Sequence, residues 1–187
     1  MLAEDVLPTV PTTTAEALEL FDAAPAAEAE FMIGTWHGAE LPTAHPMDGL
    51  LAASGWWGKQ FVDAETVHPL LFPKDGGTAL WALNPVLAFG GLGLATKIPL
   101  VRNLSLVQPI SSLRPALRTK TPKARLRTTR YRGVDSATMI YDNLPINDVF
   151  RRVPDAPVDT VIGAMDYRGA KRPYFFVLQR DDSLPVH

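Results

Sequence analysis

The chain has 187 residues, 47% of them hydrophobic, with 17 prolines, 13 glycines and no cysteine. That composition fits one globular domain with its own core and excludes a disulfide framework or a thiolate metal site. The net charge of −2 hides an asymmetry: no acidic residue stands between Asp75 and Asp135, where ten lysines and arginines fall, while the remainder carries eight basic against 20 acidic residues.

In chain order, the first ten residues carry Glu4 and Asp5 and no basic residue. They lack the basic and apolar regions of a signal peptide. No apolar run approaches the roughly 18 residues that cross a membrane, so a cytoplasmic protein is expected. Residues 12–28 read as a helix: Thr13 and Glu16 form a capping box, and Ala15, Leu18 and Phe21 follow at helical spacing. This helix is expected to plug a sheet end or to pack outside it. Residues 31–41 read as a strand bearing the motif Gly34-Thr35-Trp36-His37-Gly38.

Residues 46–54 suit a short helix with Leu50 and Leu51 as its apolar contacts, and Gly55-Trp56-Trp57-Gly58-Lys59-Gln60-Phe61 opens another strand. Residues 67–72 and 78–83 are further strands around a glycine turn. Residues 84–118 are apolar, rich in glycine and broken by Pro99, Pro109 and Pro115, so short helical crossover segments are expected there. That stretch reads either as a mobile apolar cover or as an ordinary packed crossover. Its clustered glycines lack the lysine and hydroxyl residue of a phosphate loop. From residue 123 the pattern is a β-meander, with strands at 123–132, 136–142, 147–153, 159–167 and 173–180. The spacing fits an up-and-down sheet closing on itself.

Several motifs occur in order: Gly34 to Gly38, His45-Pro46-Met47-Asp48-Gly49-Leu50-Leu51, Gly55 to Lys59, and His68-Pro69-Leu70-Leu71-Phe72. They continue with Met139-Ile140-Tyr141-Asp142-Asn143-Leu144-Pro145-Ile146-Asn147-Asp148-Val149-Phe150-Arg151, Gly163-Ala164-Met165-Asp166 and Tyr174-Phe175-Phe176-Val177-Leu178. Together, over 31–182, the chain resembles the GXWXG family joined to the uncharacterised domain that follows it. That family carries no general activity to transfer. The Gly-x-Trp opening is also similar to lipocalin-like (calycin) barrels, which hold a small ligand inside. The resemblance implies a mainly β fold: a lipocalin-like antiparallel β-barrel with an N-terminal helix and short helical crossovers. The expected division is an N-terminal tail and helix over 1–30, one barrel domain over 31–182 (31–83, a crossover at 84–122, and the meander 123–182), and a tail at 183–187.

The same resemblance assigns structural roles to Gly34, Trp36, Gly38 and Arg180. In such barrels an arginine of the last strand stacks over the opening tryptophan, a contact of about 0.5–2 kcal/mol. Trp56, Trp57, Phe72, Trp81 and Phe89 are candidate ligand-binding residues. Since alternate strand residues face opposite ways, adjacent Trp56 and Trp57 cannot both face the interior.

Candidate catalytic groups are His45, Asp48 and Lys59 around the short helix, and Tyr141, Asp142 and Asp166 in the meander, with Asp148 in the same cluster. A histidine–carboxylate pair can hold a general base in its useful tautomer, although an aspartate at a helix start is also ordinary capping. Asp142 and Asp148 flank a turn-like run where aspartates commonly bond backbone; one facing an apolar cavity would have its pKa raised towards acid–base work. His37 and His68 could each meet a haem iron. Haem-binding barrels that open on Gly-x-Trp place their axial histidine near the chain end, where only His187 stands, so neither haem nor another cofactor is expected. No zinc spacing or serine-nucleophile motif is present.

The expected function is binding of a small hydrophobic molecule, with an anionic end as one option, inside the barrel. The alternative is a cofactor-free isomerase, cyclase or hydratase using the same cavity. The third is a module that docks a protein or membrane surface through 86–106. An enzyme requires at least two of the candidate titratable groups to converge inside. Nucleic acid is not an expected partner: the basic run has no recognition-helix pattern and no interleaved aromatics.

Overall fold

The computed structural model describes residues 2–7, 9–74, 76–87, 110 and 112–187. Its nine strands are β1 (Gly34–Leu41), β2 (Gly58–Phe61), β3 (Val67–Pro73), β4 (Leu80–Ala82), β5 (Ala124–Tyr131), β6 (Val134–Tyr141), β7 (Ile146–Arg152), β8 (Thr160–Tyr167) and β9 (Tyr174–Arg180). They form one sheet in the order β2-β1-β9-β8-β7-β6-β5-β3-β4, and a β2–β3 pairing closes it into a barrel-like ring with β4 outside on β3. The β3–β5 seam is narrow, with Val67 opposite Ala124 as its register pair.

Period-2 patterning sets what faces inward. Trp36, Phe61, Val67, Leu126, Met139, Phe150, Val161, Phe176 and Leu178 belong to one buried interior cluster. Each such side chain gains about 1.5–3 kcal/mol from burial. The alternate residues Ala39, Leu41, Val149, Ile162, Ala164, Phe175 and Val177 make a second, outer cluster. The N-terminal residues and α1 (Thr14–Ala23) cover it, with Ala17 and Phe21 fully buried.

The capping box at Thr13 forms: Thr13 Oγ1 accepts from the Glu16 N–H at 3.2 Å, and Glu16 Oε2 accepts from the Thr13 N–H at 3.2 Å. The helix ends earlier than the residue 28 that composition allowed. Pro25 disfavours helical backbone at the preceding residue, and Ala24 is accordingly extended at φ −74°, ψ 138°. The chain then runs as a strip between β6 and β7: the Arg152 N–H bonds Pro25 O, and the Ala137 N–H bonds Ala27 O. The short helix expected over 46–54 is likewise reduced, to α2 (Leu50–Ser54), with residues 46–49 in turns. After it, α3 (Arg114–Leu117) leads into β5. Phe89, and the expected docking stretch apart from Val86 and Leu87, lie outside the described residues; those two are exposed.

Candidate functional site

The barrel floor is built from the opening motif. Trp36 is opposite Arg180 in the β1–β9 register, and the Arg180 guanidinium lies 4.6 Å from the Trp36 ring centroid. Every polar group here is used. Trp36 Nε1 donates to Met32 O at 2.8 Å. Arg180 donates to Ile33 O and Phe31 O at 2.6 Å each and to Asp159 Oδ2 at 2.9 Å. The two motif glycines serve two tryptophan sites. A Cβ on Gly34 would strike the Arg180 guanidinium, and Gly34 also holds φ +137°, which other residues avoid. A Cβ on Gly38 would enter the Trp56 ring.

Above the floor, Lys59 of β2 and Asp148 of β7 reach across the interior from opposite sides of the ring. Lys59 Nζ is 2.8 Å from Asp148 Oδ2, and the two side chains are only 4% and 1% exposed. Lys59 also donates to Pro69 O at 3.2 Å. Around the ammonium stand the rings of Phe176 at 5.0 Å, Trp56 at 5.5 Å and Tyr141 at 5.9 Å. Burial pushes the Asp148 carboxyl up despite the attraction of Lys59. Burial, with the nearby Asp148 charge, raises Tyr141 well above the usual phenol range. Around Lys59, two of the buried polar atoms have no hydrogen-bond partner among the described residues: Asp148 Oδ1, an acceptor when ionised, and Trp56 Nε1, a donor.

Both residues line one interior cavity of about 30 Å³, together with Lys59, Leu51, Met47, Leu70, Tyr141, Met165, Tyr174 and Phe176. That volume suits one water-sized group and not a whole hydrophobic ligand. Outside, a groove of about 490 Å³ runs between the N-terminal residues, β1 and α2, lined by Leu2, Ala3, Val10, Ala39, Leu51 and Trp56 among others. Leu51 and Trp56 border both spaces, so these two side chains form the partition.

At the mouth, Glu40 accepts from Tyr174 Oη at 2.6 Å and from the Gly49 N–H at 2.9 Å. Burial first, then Glu40, raises Tyr174. His45 and Asp48 do come together, but around backbone: Asp48 Oδ2 accepts from the His45 N–H at 2.8 Å, and His45 Nδ1 accepts from the Met47 N–H at 3.1 Å. The His45 ring lies 5.4 Å from Tyr174. Asp142 is not inside; it pairs outward with Arg125 at 3.1 Å. Asp166 is exposed. Of the candidate catalytic residues, Lys59 and Tyr141 therefore converge inside, with Asp148.

The candidate ligand-lining aromatics separate as well. Trp56 faces in. Trp57 faces out, stacked 4.6 Å from His37 and packed with Leu71, Leu80, Leu184 and Val186, because strand alternation divides the adjacent pair. The C-terminal residues Leu184 and Val186 cover it. Phe72 and Trp81 belong to the interior cluster 5.4 Å apart, and Trp81 Nε1 donates to Pro73 O. His37 is held 4.0 Å from Asp181 on the outer wall. Among the described residues no group of three or more histidine or carboxylate side chains gathers to hold a metal.

Asp148 was legible as more than a turn residue: it alternates with Ile146 and Phe150, so period 2 turns it inward. The same alternation with Phe61 turns Lys59 inward. Glu40, two positions after Gly38 and four after Trp36 on β1, carries the same alternation signal.

Comparison with known proteins agrees with this layout. Residues 19–77 match the GXWXG protein family, and residues 122–180 match a domain of unknown function, DUF4334. A solved structure, described as a protein from Thermomonospora curvata, is 32% identical. The match covers 89% of this chain and 86% of that one, with a TM-score of 0.63. No curated protein matches.

Proposed function

The chain belongs to the GXWXG proteins that carry this C-terminal domain of unknown function, and from that premise we propose that it binds a small apolar molecule with a neutral polar head, a hydroxyl group. The observation that carries this reading is the pair of unpartnered buried atoms, Trp56 Nε1 and Asp148 Oδ1, on one cavity beside Lys59. A buried unsatisfied polar group costs about 1–3 kcal/mol, which a head group able to accept from the indole and donate to the carboxylate recovers. An anionic head is the poorer fit, because Asp148 already neutralises Lys59 at 2.8 Å. The head takes the 30 Å³ space and the apolar tail passes the Leu51–Trp56 partition into the outer groove.

The test is an NMR titration of the full chain with 1-decanol, decane and decanoate, following the indole N–H resonances and assigning Trp56 by its loss in Trp56→Phe. The expected result is a saturable shift of the Trp56 resonance with decanol, weak or absent with the other two. An unmoved Trp56 resonance, or equal responses to all three, overturns the reading.

A second reading has its own support in the convergence of Lys59, Asp148 and Tyr141, whose carboxyl and phenol are both raised by burial. Groups so perturbed in a desolvated site suit proton transfer, here as a cofactor-free isomerase, cyclase or hydratase. Asp148→Asn separates the two: the amide oxygen still accepts from a hydroxyl, so a carrier keeps most of its decanol binding with no other loss, whereas an enzyme that transfers a proton through the carboxyl loses turnover.

A further inference from the structure

The basic stretch divides in two on the outer wall. Four arginines of the β5–β6 hairpin are each matched with a carboxylate: Arg125 with Asp142, Arg127 with Glu65, Arg130 with Asp135, and Arg132 with Asp22. Arg118 and Lys120, a few residues earlier, meet no carboxylate among the described residues. Instead they line a cavity of about 420 Å³ on the outside of β2 and β3, shared with Gln60, His68, Thr119 and His187. No aspartate or glutamate side chain lines it.

The walls are held by backbone; Thr119 Oγ1 is engaged with Thr121 and Gln60 Nε2 donates to Thr35 Oγ1, while the Arg118 and Lys120 side chains have no hydrogen-bond partner among the described residues. The Arg118 N–H donates to Arg114 O, the Thr119 N–H to Ala82 O and the His187 N–H to Leu80 O, each at 2.9–3.0 Å. Arg118 also bridges to Leu83, and Gln60 is opposite His68 in the β2–β3 register. His68 Nδ1 is buried with no partner among the described residues. A concave surface with unpaired positive charge and several N–H donors concentrates anions. Two permanent cations match a dianion better than a monoanion, and guanidinium geometry suits a tetrahedral oxyanion. The volume falls in the range of small-molecule sites, about 300–1,000 Å³, and Ala82 with Val186 offers an apolar wall for a non-reacting part.

We propose that this outer cavity binds a small organic phosphate monoester. It is a different site from the barrel interior, and its occupant carries the charge that the interior does not accommodate.

The experiment is calorimetric titration of the full chain with phenyl phosphate, inorganic phosphate and benzoate at low and at physiological ionic strength. Phenyl phosphate is expected to bind tightest, to weaken with salt, and to weaken about tenfold or more in Arg118→Gln and again in Lys120→Gln. Neither variant should change the thermal midpoint, because both side chains are exposed. Binding should persist in the Lys59→Met/Asp148→Leu double variant, which separates this site from the interior. No heat with phenyl phosphate, equal affinity for benzoate, or undiminished binding in both cation variants overturns the proposal.

Discussion

The barrel holds two tryptophan–cation sites, and they are finished differently. At the floor, Arg180 covers Trp36 at 4.6 Å, the indole N–H reaches Met32 O, and the guanidinium spends its donors on two carbonyls and Asp159. In the centre, Lys59 stands 5.5 Å from Trp56, but the indole N–H and one Asp148 oxygen have no partner among the described residues. One motif seats both, Gly34 facing Arg180 and Gly38 facing Trp56. A fully satisfied buried network rigidifies, and a partly satisfied one carries a standing cost. Under the proposed function, the finished floor serves structure and the unfinished centre serves recognition.

The largest effect is expected from splitting the central pair. Lys59→Met leaves Asp148 buried and unpaired, a loss of about 3–5 kcal/mol by urea unfolding. Arg180→Met tests the floor: it strands the Ile33 and Phe31 carbonyls and removes the cover on Trp36, costing about 2–4 kcal/mol, and it should leave the decanol response of Trp56 intact. A floor variant that folds but loses that response would erase the distinction between the two sites.

Gly38→Ala puts a methyl into the Trp56 ring, an overpacking cost of about 1–3 kcal/mol. Trp56→Phe in the same chain should recover part of it, as a double-mutant cycle would record.

The pH dependence is a smaller signal. Because burial holds Asp148 above the ordinary carboxylate range, the native state keeps this proton to higher pH than the unfolded chain does. Its contribution to stability is therefore present below the ordinary range and is lost as pH rises through it to the raised native value, by at most about 1.4 kcal/mol per pH unit. Asp148→Asn should remove that component of the slope. Smallest of all, Asp142→Asn breaks a half-exposed surface pair with Arg125 and should change stability by less than about 1 kcal/mol.

Much of this was legible in the sequence where local rules govern. Alternation and turn residues placed the meander strands within about two residues of their observed limits, and the Thr13–Glu16 box marked the start of α1. The motif resemblance, with Arg180 at the end of the last strand, led to the floor geometry. What local pattern cannot supply is which strands stand opposite one another once the sheet closes. Lys59 and Asp148 are 89 residues apart and meet across the ring, so the pair depends on closure. The asparagine–proline run before Asp148 leaves both a turn role and a cavity-facing role open for it, and its alternation with Ile146 and Phe150 points to the second. His45 and Asp48 lie together, but the hydrogen bonds of Asp48 Oδ2 and His45 Nδ1 go to the backbone N–H groups of His45 and Met47, which the sequence does not advertise. A roomy interior was expected from the barrel resemblance; the aromatic side chains of Phe61, Phe150 and Phe176 fill it.

The central claim is that the Lys59–Asp148 pair is kept for binding and not for stability. Its most direct test is the unfolding free energy of the Lys59→Met/Asp148→Leu double variant against the parent chain. Replacing a buried ion pair with apolar side chains of similar size is often neutral or stabilising by about 1–4 kcal/mol, and the account predicts a double variant at least as stable as the parent. A double variant as unstable as Lys59→Met alone would contradict it, and the centre would then be as structural as the floor.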